Sequence, residues 1–259
     1  MVFDGREGGM ETLRETAEIR RWCARYRTDG LMILELKEGF DFSMDFFNPD
    51  GTGGMMCGNG GRCITAFAAY LGIRPADGKR YHFLAPDGVH YSELLESPAA
   101  DGPLCWQVRL KMIDVQAIRP SKDGWFLNTG TRHLVRFVDR VAERDMEAEA
   151  KPLRWDAEYR PEGTNVNLVE VLPDGLHVRT YEKGVEGETL ACGTGITASA
   201  LAAWHAGLAP YSQAEGRVKY RLQCRRGDWL AVDFLPVGTQ AFRDVYLTGP
   251  AELTDIVAL

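Results

Sequence analysis

No apolar run in the 259 residues reaches the length of a membrane-spanning helix, which argues against a helical membrane protein. Basic residues are in deficit: 30 Lys and Arg stand against 37 Asp and Glu, a formal charge of −7. That balance opposes nucleic acid or an anionic membrane surface as a partner. The start, Met1-Val2-Phe3-Asp4-Gly5-Arg6, has no apolar stretch behind a basic lead, so no signal peptide is read and the cytoplasm is the expected setting. There is no CxxC pair and no Cys/His cluster, so no metal is expected. No motif for an electron-sink cofactor is found, and the expected cofactor set is empty. The six cysteines are even in number, but the disulfide reading of an even count belongs to short secreted chains, and free thiols are expected here. What remains is a chain of ordinary globular composition, 45% hydrophobic and 26% charged, long enough for one large domain or two of common size.

The organising feature occurs twice. Met56-Cys57-Gly58-Asn59-Gly60-Gly61 and Ala191-Cys192-Gly193-Thr194-Gly195-Ile196 both read Cys-Gly-X-Gly and then turn helical. After Cys57, the residues Ile64, Phe67, Ala68 and Leu71 recur at i, i+3, i+4 and i+7; after Cys192, Ile196, Ala200, Leu201 and Trp204 trace a similar stripe. Gly72 and Gly207 close the two patterns as helix C′ residues, each fifteen positions beyond its cysteine. Each half of the chain therefore places a thiol at the N-terminus of a core helix.

Around these helices the pattern is mostly strand. A helix is expected over 11–27, with Ile19, Trp22, Cys23 and Tyr26 on one face and arginines on the rest, the latter a solvated face. Strands are expected at 31–36 and 40–48, then a glycine-rich loop at 48–54 that leads to Cys57. Hairpins turn at the Pro-Asp-Gly triplets 86–88 and 173–175, and a third at Arg226-Gly227-Asp228. Strands are also expected at 106–112, 124–128, 133–138 and near 245–247, and a charged helix at 139–150. The period, 135 residues between the cysteines, gives an α+β fold of two related lobes, 1–116 and 117–250, each a mostly antiparallel sheet wrapped around a central helix.

The chemistry follows from helix termini. A helix start carries unpaired N–H groups and partial positive charge, which favour thiolate over thiol. Its glycines let backbone approach a ligand, so Gly58-Asn59 and Gly193-Thr194 suit an anion such as a carboxylate. If the two lobes face each other, a substrate carbon in the cleft has a sulfur on each side. One thiolate removes a proton while the other thiol returns one, inverting the centre. A cysteine at a single glycine-rich helix start is most simply a small apolar residue. Two copies with matched flanks and helix lengths favour the paired chemistry, and Cys23, Cys63, Cys105 and Cys224 have no such context.

Residues 56–63 and 188–195 together resemble the diaminopimelate epimerases. Supporting matches are Asp29-Gly30-Leu31, Phe47-Asn48-Pro49-Asp50-Gly51, Gly163-Thr164-Asn165-Val166-Asn167, Tyr181-Glu182-Lys183-Gly184 and Leu247-Thr248-Gly249-Pro250, in family order. The resemblance implies a cofactor-independent isomerase that converts LL- to meso-diaminopimelate for lysine and cell-wall synthesis, a small amino acid substrate, and a homodimer. It implies pseudo-symmetric lobes with the segment 251–259 returning to the first. Carried over by position, Cys57 and Cys192 are the acid/base pair, and Gly58, Asn59, Gly193 and Thr194 bind the reacting carboxylate. Asn48 and Asn165 hold the remote amino acid end, Glu182 lies near the reacting amine, and His133 lines the site.

The chain also departs from the family. The match starts beyond the family's first strand and Gly-Asn-Asp-Phe-like loop. Thr131-Arg132 stand where an Asn-Pro or Ser-Pro pair is expected before His133, and Lys183 replaces the arginine that forks onto the remote carboxylate, a grip lysine does not reproduce. Thr131 and Lys183 therefore mark where substrate recognition differs. Racemisation of proline, hydroxyproline or histidine by the same thiols, and a non-catalytic ligand-binding homologue, stay open as alternatives.

Overall fold

Alternating apolar and polar residues set most of the strands, and runs of small residues set the two buried helices. These elements appear in a computed structural model that describes every residue except Met55, Lys122, Ala258 and Leu259. The chain divides into two units, Met1–Leu110 with Pro250–Leu259, and Lys111–Gly249.

The first unit contains β1 (Val2–Asp4), α1 (Thr16–Tyr26), β2 (Leu31–Glu35), β3 (Phe42–Phe47), α2 (Gly58–Tyr70), β4 (Arg80–Ala85), β5 (Gly88–Glu96) and β6 (Cys105–Lys111). The six strands lie side by side in chain order. The pairs β1–β2 and β3–β4 are parallel and the other three antiparallel. Strand β2 buries four consecutive residues, Leu31 to Leu34, because a helix covers each face. Leu31 and Ile33 pack with Ile19, Trp22 and Cys23 of α1, while Met32 faces Gly60 at the start of α2.

The second unit contains β7 (Ile118–Ser121), β8 (Gly124–Asn128), β9 (Arg132–Phe137), α3 (Met146–Glu149), α4 (Lys151–Arg154), β10 (Asn165–Leu172), β11 (Gly175–Glu182), β12 (Gly187–Thr189), α5 (Gly193–His205), β13 (Ser212–Ala214), β14 (Arg217–Gln223), β15 (Trp229–Val237) and β16 (Ala241–Glu252). Its strand order is β16-β15-β14-β11-β10-β9-β8-β7, with β12 on β11 and β13 on β14. Helix α5 is buried nearly all round, Ile196, Ala198 and Ala200 to Ala203 being 1% exposed or less. Its alanines let strands approach closely on several sides. From Pro250 onward the chain belongs to the first unit, where the Leu253 N–H donates to the Leu104 carbonyl at 2.8 Å. Of the segment 251–259, residues 258 and 259 lie outside the described residues.

The two core helices match in detail. Both have thirteen residues, both follow a cysteine in extended conformation, and both stop at a glycine of positive φ, +78° at Gly72 and +69° at Gly207. The next N–H reaches back five residues in each, Ile73 to the Ala68 carbonyl at 3.0 Å and Leu208 to the Ala203 carbonyl at 2.9 Å. That bond requires the left-handed residue, which glycine adopts without a Cβ penalty.

The α+β architecture agrees with the pattern, while several element boundaries differ. The helix expected over 139–150 is instead a 3-10 turn at Val141–Glu143 followed by α3 and α4. Arg144 is extended, the Asp145 carboxylate caps Glu147 and Ala148, and Pro152 begins a new helix. The helix expected from 11 starts at Thr16, since Glu15 is extended after a 3-10 turn. Strand β16 runs through Gly249-Pro250, where the sequence suggested an end. Strand β1, three residues long, is too short to show a period, and it pairs parallel with β2. The arginines of this stretch engage the protein itself: Arg14, in the 3-10 turn before α1, bridges Asp45 and Glu35, and Arg25 of α1 lies over Tyr26. No helix among the described residues is long and apolar enough to cross a membrane.

Candidate active site

In the first unit Cys57 caps α2, at φ −111° and ψ 160°. Its sulfur accepts the Gly60 N–H at 3.2 Å, a first-turn donor that no helix carbonyl can satisfy. The residue is exposed, yet its sulfur lies in a recess of packed protein atoms. That burial pushes the thiol above its ordinary value, and the N–H groups of Gly60 and Asn59 and the Arg62 charge oppose the shift without cancelling it. Cys57 is thus a thiol near neutral pH.

Arg62 is a buried brace for this helix start. Its Nη1 donates to the Gly58 carbonyl at 3.0 Å, its Nη2 to Asn59 Oδ1 at 3.0 Å, and its Nε to the Pro250 carbonyl at 3.4 Å. Arg62→Met keeps the aliphatic stem but removes all three bonds, and we expect a loss of about 2 kcal/mol of unfolding free energy. Urea denaturation measures it, and an unchanged midpoint would show that Arg62 braces nothing. Asn48 lies in the turn before this segment, where its Nδ2 donates to Thr52 Oγ1 at 3.0 Å.

In the second unit, Cys192 precedes the first turn of α5, buried at 7% exposure. Its sulfur lies 3.4 Å from Thr194 Oγ1. Thr194 Oγ1 is 3.1 Å from Thr131 Oγ1, and its carbonyl accepts the Thr129 hydroxyl at 2.9 Å. Thr131 Oγ1 lies 2.9 Å from His133 Nε2 and accepts Asn165 Nδ2 at 3.2 Å. Asn165 also donates to the Arg132 carbonyl at 3.0 Å and accepts the Lys183 N–H at 2.7 Å. His133 Nδ1 lies 3.1 Å from Asn167 Nδ2, which also donates to the Leu134 carbonyl at 2.9 Å, while Asn167 Oδ1 accepts the Thr180 hydroxyl at 2.9 Å. Burial drives His133 down to about 3, so its ring is neutral across the working range.

Gly195 makes this packing possible. A Cβ there would stand 2.4 Å from Asn167 Oδ1 and 3.0 Å from Thr180 Oγ1, both held by other bonds. The two side chains just beyond the network behave differently. Arg132 is committed to the Glu162 carboxylate at 2.5 Å and lies over the Phe126 ring, while Lys183 is exposed. Glu182 ends β11, half-buried, its carbonyl accepting the Glu186 N–H at 2.9 Å.

Sequence relatives decide the family. Residues 125–227 match the family model described as diaminopimelate epimerase. A diaminopimelate epimerase of Chlorobaculum tepidum is 38% identical, over 97% of this chain and 93% of that protein. One from Flavobacterium psychrophilum is 35% identical, over 92% and 88% respectively. The chain belongs to the diaminopimelate epimerase family. A solved phenazine biosynthesis protein of the PhzF family from Bacillus anthracis shares the fold alone, with a TM-score of 0.68 at 12% identity over 95% of this chain and 89% of that one. Relatives named as diaminopimelate epimerases leave the proline, hydroxyproline or histidine racemase alternative with less support.

For a diaminopimelate epimerase family member, the structure gathers more polar residues around Cys192 than the sequence singled out. It brings Thr131, His133, Asn165, Thr194 and the Lys183 backbone into one network within the second unit. Cys57, Gly58 and Asn59 cluster separately in the first, and Asn48 bonds within its own turn. Sequence reasoning missed Arg62, Thr129, Asn167 and Thr180. For Asn167 a signal existed: Asn165 and Asn167 alternate on one face of β10, where a buried strand would otherwise place apolar side chains. Among the described residues no group of three or more His, Cys, Asp or Glu is placed to hold a metal ion.

Proposed function

We propose that this chain epimerises LL-diaminopimelate to meso-diaminopimelate by a two-base mechanism with Cys57 and Cys192. The observation that carries this reading is the matched pair of cysteine-capped helices of equal length with identical glycine stops, in a chain of this family. A thiolate takes the α-hydrogen and becomes a thiol, leaving the electron pair on the α-carbon. The other thiol delivers a proton to the opposite face and becomes a thiolate, so charge and protons balance over the step. Backbone N–H groups of Gly58-Asn59 and Gly193-Thr194 hold the carboxylate as negative charge spreads onto it. Glu182 sits near the reacting amine, and Asn48, Asn165 and Lys183 meet the remote end. Because Asn165 Oδ1 already accepts the Lys183 N–H, it contributes its second lone pair.

The test is α-hydrogen exchange in heavy water, followed by proton NMR, with purified reduced protein and each diaminopimelate stereoisomer in turn. Exchange with both isomers, together with appearance of the other isomer, is the expected result. Absence of exchange with either one removes diaminopimelate as the substrate. The same reading carries a cytoplasmic setting and a homodimer, the latter checked by the mass in solution.

A further inference from the structure

We infer that Thr194 and Thr131 form a one-way hydroxyl relay that ends as a hydrogen-bond donor on Cys192 Sγ, with Thr131 acting only through Thr194. This deepens the acid/base role proposed above for Cys192 and rests on it. The direction of every bond is set by two backbone anchors. The Leu134 carbonyl can only accept, so Asn167 must present its Nδ2 there, and the remaining Nδ2 hydrogen faces His133 Nδ1. Nδ1 is therefore the acceptor nitrogen of the neutral ring, and Nε2 carries the hydrogen toward Thr131 Oγ1. The Lys183 N–H can only donate, so Asn165 presents its Oδ1 to it and its Nδ2 to Thr131.

Thr131 Oγ1 thus accepts two hydrogens, from His133 and Asn165, which fills its lone pairs. Thr131 is exposed, and the protein acceptor within reach of its own hydrogen is Thr194 Oγ1 at 3.1 Å. Thr194, receiving that hydrogen, cannot donate it back and turns its own toward Cys192 Sγ at 3.4 Å. A hydroxyl hydrogen aimed at sulfur favours the anionic form, because donors to a charged acceptor are stronger than donors to a neutral one. Chains of such bonds polarise one another, and the His133, Asn165 and Asn167 end of this one is buried. At Cys57 the sulfur accepts the Gly60 backbone N–H at 3.2 Å. Thr131 is a positioning residue, and the threonine at this place gives the chain a relay member with both a donor and two acceptor sites.

The experiment titrates Cys192 directly, without substrate, so its outcome is independent of whether diaminopimelate is turned over. The full chain is labelled with 13Cβ-cysteine, the Cys192 signal is assigned with Cys192→Ala, and its pH midpoint is read by NMR. Thr194→Val is expected to raise the midpoint by about one pH unit, a tenfold loss of thiolate at a given pH, while Thr194→Ser leaves it near that of the natural chain. Thr131→Val raises it by less, and Thr131→Ser restores it. The double variant Thr131→Val/Thr194→Val is expected to match Thr194→Val alone, the signature of one residue acting through the other. An unchanged midpoint in Thr194→Val overturns the relay. A Thr131→Val shift that persists undiminished in the Thr194→Val background overturns the route through Thr194. Unfolding midpoints of the same variants separate loss of fold from loss of the donor, since a merely structural role leaves the Cys192 titration in place.

Discussion

Replacing Cys57 or Cys192 with alanine is expected to lower kcat/KM for epimerisation by about 10³- to 10⁴-fold. Inversion needs a base on one face and an acid on the other, so neither thiol substitutes for its partner. The double variant should fall little below either single one, because residues that act as a unit are not additive. Stability gives little competing explanation at Cys57, an exposed residue whose sulfur accepts first-turn N–H groups of α2. At Cys192, removing one buried sulfur leaves the Thr194 hydroxyl without its acceptor, a modest cost that denaturation would register separately. Interconversion of the two isomers, followed by NMR or chiral chromatography, measures the effect. A single alanine variant that kept a tenth of the natural rate would remove that cysteine from the reaction.

Acidification is expected to weaken the fold through His133. Burial lowers this histidine from 6.5 to about 3 in the folded chain. The unfolded chain therefore binds the proton first, and stability is complete above about pH 6.5 and lost as pH falls toward 3. The slope is about 1.4 kcal/mol per pH unit, so about 2 kcal/mol is lost by pH 5 and about 4 kcal/mol by pH 3. Protonation would also break the network, since Nδ1 could no longer accept from Asn167. Carboxylates titrate in the lower part of the same window, and His177 is also lowered by burial, so the comparison is with His133→Gln. Urea denaturation at pH 7 and pH 5 should show the natural chain losing about 2 kcal/mol more than the variant. Equal losses in both would mean that His133 is not held neutral by burial.

Much of the fold is legible because it rests on local chemistry. The hairpins at 86–88 and 173–175 announce themselves through Pro-Asp-Gly, and the alternation at Trp106, Val108 and Leu110 reproduces β6 with those three buried. The two core helices are bounded by a cysteine before and a glycine after, both visible as residue types. Where the reading erred, a feature beyond local pattern intervened. The charged stretch 139–150 has helical composition, but Arg144 and Pro152 break it, and Met146, Leu153 and Tyr159 are drawn into the cluster with Leu134 and Val166. Strand β16 continues through Pro250 because its carbonyl, needing no N–H, is taken up by Arg62 from a helix 188 residues earlier.

By itself the sequence determined that two cysteines cap two matched helices, the feature on which the proposed acid–base chemistry rests. That information is local: a thiol, the glycines that follow it, and the glycine that stops the helix fifteen residues later. Only the tertiary structure decided what surrounds Cys192. Thr131, His133, Asn165, Asn167 and Thr180 come from three different strands and the loop before them, and nothing in their spacing says that they share hydrogens. Burial made a network of His133, Asn165, Asn167 and Thr180, because polar groups removed from water must find each other, and exposed Thr131 joins it at the edge. Backbone atoms of Leu134 and Lys183 then gave that network its direction.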